Sequence, residues 1–132
     1  MNQSHYNKGE VSIMTIQESA EMYLETILIL SKKIENVRSI DICKQMNYSK
    51  PSVSRAMKNL KNESYIEIDE NGYIELTEKG MRIASKIYEK HKILTDYFIS
   101  LGVSEKTAED DACKIEHVIS DETFNIIKKI AA

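Results

Sequence analysis

The chain has 132 residues, 42% of them apolar and 30% charged, with a formal net charge of −3. It reads as globular and soluble, long enough for one domain or two small ones, and too acidic overall for an indiscriminate nucleic-acid binder. It has no apolar run of membrane-spanning length and no basic-then-apolar start of the secretory kind, and its two distant cysteines make no disulfide framework. Reduced thiols and a cytoplasmic location are therefore expected.

Residues 1–14 are polar and aperiodic and read as a flexible arm. Residues 16–33 carry Ala20, Tyr23, Leu24, Ile27, Leu28 and Leu30 at helical spacing, which predicts an amphipathic helix. A short helix follows over 39–46 with Ser39 as its expected N-cap, and Asn47-Tyr48 is a turn. Ser49 is the expected N-cap of a third helix, with Pro51 in its first turn and Val53, Ala56, Met57 and Leu60 on one face. Tyr65-Ile66-Glu67-Ile68 and Tyr73-Ile74-Glu75-Leu76 flank Asp69-Glu70-Asn71-Gly72, a strong hairpin signal. Thr77 is expected to cap a long helix that Gly102 ends. A further helix is expected over 105–119 and a last one over 122–130, capped by Ser120 or Asp121.

Three helices and a hairpin make a winged helix-turn-helix, here followed by a helical domain. The fold class is thus mainly α with a small β-hairpin. The expected division is an arm at 1–14, a DNA-binding domain at 15–77 and a helical metal-binding and dimerisation domain at 78–132. In such a fold the third helix enters the major groove with its N-terminal residues at the base edges. The candidate DNA-binding residues are Arg38, Ser49, Lys50, Pro51, Ser52, Ser54, Arg55 and Lys58. Hydroxyls and helix-start N–H groups suit phosphates, and Arg55 can pair bidentately with guanine. Charge supports this: residues 37–63 carry a local balance of +4, whereas residues 104–123 carry −5 and suit a cation.

Within that acidic stretch, Ala112-Cys113-Lys114-Ile115-Glu116-His117-Val118-Ile119 puts a thiol, a carboxylate and an imidazole on one side of a helix and Ile115, Val118 and Ile119 on the other. These are transition-metal donors; a surface Glu-His pair beside a half-buried Cys is the plainer reading of the triplet alone.

Five segments in order resemble one family: Glu21-Met22-Tyr23-Leu24-Glu25-Thr26-Ile27, Ser49-Lys50-Pro51-Ser52-Val53-Ser54, Leu76-Thr77-Glu78-Lys79-Gly80, Lys90-His91, and residues 112–122. The chain resembles the metal-dependent repressors typified by the diphtheria-toxin and manganese-transport repressors, over about residues 17–130. The resemblance implies a homodimer that binds palindromic double-stranded operator DNA when Fe(II) or Mn(II) is bound, with no membrane partner. It places metal ligands at Met22, Glu25, His91, Cys113, Glu116 and His117. Met22 and Glu25, three apart, share a helix face; read alone, Met22 is core, Glu25 a solvated position and His91 a packing histidine.

Iron-responsive relatives commonly have sulfur at the positions of Met22 and Cys113, and manganese-responsive ones carboxylates there with a Glu at 25. This chain mixes the two, and its two sulfurs favour Fe(II), with Mn(II) the alternative and other divalent transition metals able to substitute in vitro. The iron type's second site has a Glu where this chain has Thr95 and a His where it has Glu109. The sequence ends at Ala132, before the third, barrel-like domain of longer members, so a two-domain form is expected. Two rivals differ in class. A winged-helix regulator could sense a small ligand or redox state through Cys113, although the acids around it raise a thiol's pKa. An enzyme could use Cys113 and His117 as nucleophile and base, although no glycine-rich elbow or oxyanion donor accompanies them.

Overall fold

The computed structural model describes residues 15–132, so the arm expected at 1–14 lies outside the described residues. Six helices and one hairpin follow in the order α1 (Ile16–Lys33), α2 (Ser39–Met46), α3 (Lys50–Asn62), β1 (Ile66–Ile68), β2 (Ile74–Leu76), α4 (Glu78–Ser100), α5 (Glu105–Ile115) and α6 (Asp121–Ala131). They form two compact units, Ser19–Ser85 and Lys86–Ala132, the latter including residues 15–18.

The first unit is the winged helix-turn-helix. Leu24 and Ile27 of α1, Ile42 of α2, Val53 and Met57 of α3, and Ile66 of β1 are among its most deeply buried side chains. Burial of each contributes about 1.5–3 kcal/mol. The N-cap of α2 is Arg38, not Ser39, because the Arg38 N–H donates to Asp41 Oδ2 at 2.8 Å. Ser49 caps α3 as expected, accepting from the Ser52 N–H at 3.3 Å. The strands pair antiparallel with Ile66 opposite Leu76 and Ile68 opposite Ile74, and the Ile74 N–H donates to the Val37 carbonyl at 2.7 Å.

The wing joins α4 through Thr77, whose hydroxyl donates to the Ser64 carbonyl at 2.7 Å and accepts from the Gly80 N–H at 3.1 Å. A Cβ on Gly80 would collide with the Tyr65 carbonyl oxygen, so this glycine near the helix start lets two backbones touch. Ser64 ends α3 in the left-handed region at φ 66°, and the Tyr65 N–H closes the turn onto the Leu60 carbonyl at 2.9 Å.

In the second unit, Leu94 of α4, Ala112 of α5 and Phe124 of α6 are buried together, with Ile93, Phe98, Ile115, Ile119 and Ile127 packed against them. Here one expectation is corrected: α5 stops at Ile115 instead of running to Ile119. The Val118 and Ile119 N–H groups both donate to the Ile115 carbonyl at 2.9 Å, tightening the chain into a turn. β-Branched Ile115, Val118 and Ile119 are poor helix formers, and Ser120 immediately starts α6 by accepting from the Thr123 N–H at 3.1 Å. Among the described residues no helix is long and apolar enough to cross a membrane.

Candidate metal centre and DNA-binding surface

Because α5 ends early, Cys113, Glu116 and His117 do not share one helix face. Cys113 is half-buried on the last turn of α5, Glu116 is the C-cap residue, and His117 lies in the turn beyond. The turn draws Glu116 inward until it is fully buried, while Val118, expected to pack, is 66% exposed. Glu116 Oε1 lies 2.7 Å from His91 Nδ1 on α4, and its other oxygen lies 3.6 Å from His117 Nε2. An ionised carboxylate only accepts, so His91 Nδ1–H is the donor in this pair. Nε2 points toward Glu109 Oε1, 4.0 Å away on α5.

The second unit thus brings His91, Glu116 and His117 together, with Cys113 one helical turn from Glu116. Nitrogen and oxygen donors in such proximity fit a divalent first-row transition metal better than Ca(II) or Mg(II), which take oxygen ligands. Sequence reasoning gave Glu109 no role in this chain. Its signal was the spacing 109, 113, 116, which lines one side of α5 and its cap. Position 95 offers a buried hydroxyl and no charge, so an iron-type second site receives neither its carboxylate there nor an imidazole at 109. Met22 and Glu25 stand three apart on α1, in the first unit; Glu25 is buried and Met22 half-buried. Neither is a solvated position.

The DNA-binding candidates all lie in the first unit. Arg38, Ser49, Lys50, Pro51, Ser54, Arg55 and Lys58 are exposed; Ser52 is half-buried, and its hydroxyl accepts from that of Ser49 at 2.9 Å. The Arg38 guanidinium lies 4.7 Å over the Tyr73 ring, joining the start of α2 to the wing. Cys43 is buried on α2. Burial, with help from Tyr48 and Cys43, pushes the Tyr23 phenol from 10.0 up to about 12; Arg55 opposes this weakly.

Two family models match in tandem: the N-terminal DNA-binding domain of iron-dependent repressors over residues 15–74, and their metal-binding and dimerisation domain over residues 77–131. The chain belongs to the iron-dependent repressor family. It therefore belongs among metal-dependent transcriptional repressors, with DNA-binding and dimerisation domains, and not to an enzyme class. It is 35% identical over 115 residues to an uncharacterized HTH-type transcriptional regulator of Methanocaldococcus jannaschii, covering 86% of this chain and 92% of that one. It is 30% identical over 112 residues to the transcriptional regulator MntR of Escherichia coli, covering 85% and 72%. The solved manganese regulator SloR superposes with a TM-score of 0.74 at 29% identity over 84% of this chain. The chain spans about half, 52%, of SloR's length.

Proposed function

We propose that this chain is a repressor switched on by Fe(II) or Mn(II), acting as a homodimer on palindromic operator DNA in the cytoplasm. The observation that carries the reading is the buried Glu116 carboxylate set between two imidazoles, His91 at 2.7 Å and His117 at 3.6 Å, in the segment matched by a metal-binding domain. His91, Glu116, His117 and Cys113 are the ligands from the second unit, and the family resemblance adds Met22 and Glu25 from α1. The bound ion would supply positive charge that offsets the carboxylates. Arg55, Lys50 and the Ser49, Ser52 and Ser54 hydroxyls read the DNA, with Pro51 shaping the start of α3 and Arg38 and Lys58 contacting phosphates. The switch is a population shift: the ligands favour the DNA-competent arrangement, and a hundredfold preference is worth about 2.7 kcal/mol per site.

Fe(II) is favoured because Cys113 and Met22 are soft donors, while Glu25 pulls toward Mn(II). The family description names iron and SloR is a manganese regulator, so relatives support either ion. Exposed Val118, Ile126 and Ile130, at 66%, 52% and 63%, support pairing of two copies through the second unit. The test is the thermal midpoint of the full chain titrated anaerobically with Fe(II) or Mn(II). Wild type should rise with metal, and Cys113→Ala should lose most of that rise. A midpoint indifferent to both ions defeats the metal reading.

A further inference from the structure

His91 is not alone in holding the segment between α5 and α6. The preceding residue of α4, Lys90, has a side chain only 8% exposed, with Nζ 3.5 Å from Asp121 Oδ1 and 5.7 Å from the centre of the Phe124 ring. Asp121, the first residue of α6, is 67% exposed, and its other oxygen lies 3.6 Å from Lys86 Nζ. Lys90 falls on the stripe of Ile83, Ile87 and Leu94, where the helix otherwise buries apolar side chains. Burying an ammonium carries a desolvation cost that one exposed carboxylate offsets incompletely, and well-packed apolar residues in place of such pairs are often neutral or stabilising. Stability alone does not account for a lysine there.

Its placement does. Two neighbouring residues of α4 grip the two ends of one short segment: His91 holds Glu116 and Lys90 holds Asp121, with only residues 117–120 between. That segment has little slack, because two of its N–H groups share the Ile115 carbonyl and Ser120 caps α6. We propose that Lys90 and Asp121 are positioning residues for the metal centre, fixing the 116–121 segment along α4 so that Glu116 and His117 stay in register with His91. This rests on the reading of those three residues as metal ligands. A third α4–α6 ion pair, Glu89 with Lys128 at 3.0 Å, lies further along α6 from the proposed ligands and serves as the control.

The experiment is competition for Mn(II) between a fluorescent chelator and the full chain, with the metal-free thermal midpoint measured beside it. Asp121→Asn and Lys90→Met should each weaken Mn(II) binding about 10-fold, the size typical of losing a group that orients ligands. Asp121→Glu should restore wild-type affinity, and Glu89→Gln should bind as wild type does. Lys90→Met should keep a metal-free midpoint at or above wild type, separating positioning from stability. Should Lys90→Met not fold, exposed Asp121 carries the test alone. Wild-type affinity in Asp121→Asn, or an equal loss in Glu89→Gln, overturns the proposal while leaving the metal centre standing. If wild type binds no Mn(II) or Fe(II), the metal reading falls and the clamp falls with it.

Discussion

Gly80→Ala isolates the contact that seats the wing on α4. In an unhindered helix the change should stabilise by about 0.8–1 kcal/mol through helix propensity. Here the new methyl group would meet the Tyr65 carbonyl oxygen, a backbone atom that cannot rotate away. That oxygen also accepts from the Thr77 N–H at 3.0 Å, so yielding strains the hydrogen bond that closes the junction. Overpacking costs about 1–3 kcal/mol and the bond about 1 more. The net loss should be about 2 kcal/mol, which for a unit of this size lowers Tm by roughly 10 °C. Thermal unfolding followed by far-UV circular dichroism measures it, with Ser85→Ala, exposed on the same helix, as the propensity control. A Gly80→Ala protein as stable as wild type would refute the close approach of α4 to the wing.

Three further outcomes are expected. Tyr23 binds its proton more tightly when folded, so its contribution is full below pH 10 and fades as pH rises from 10 toward about 12. The alkaline loss should reach about 2–3 kcal/mol, and Tyr23→Phe should flatten it in urea melts at pH 9 and 11.5. Arg55→Ala should cost about 1–3 kcal/mol in operator binding and relax base preference at one position per half-site. Uniform weakening on all sequences would assign Arg55 to phosphate instead. Met22→Asp should raise the response to Mn(II) relative to Fe(II) in anaerobic DNA-binding titrations, because a carboxylate replaces a thioether; an unchanged ratio would make Met22 packing only.

Elements with a local signature were legible in the sequence. The helical spacing of Tyr23, Leu24, Ile27 and Leu28 marked α1, and the side chains of Ser49 and Ser120 announced their caps. Asn71-Gly72 marked the hairpin, although only Gly72 adopts positive φ, at 80°, with the Asp69 carboxylate organising the loop through the Asn71 and Tyr73 N–H groups. The end of α5 was not legible, because the periodicity of Ile115, Val118 and Ile119 continues past the point where the chain turns. That turn buries Glu116, and a carboxylate in an acidic stretch gives no sign of being drawn inside. Lys90 did leave a trace, as a charge on an apolar stripe, but its partner Asp121 is remote in sequence. The donor types were readable from Cys113, Glu116 and His117; the contact of Glu116 with His91 required the tertiary fold.

In the proposed switch, metal governs DNA binding. Its most direct test is the dissociation constant for a palindromic site, selected from random DNA, against free Fe(II) under anaerobic conditions at fixed ionic strength. Wild type should bind about 100-fold more tightly with metal than in excess chelator, and His91→Ala should lose that gain. Equal affinity in metal and in chelator would contradict the claim, leaving a DNA-binding protein that senses something else.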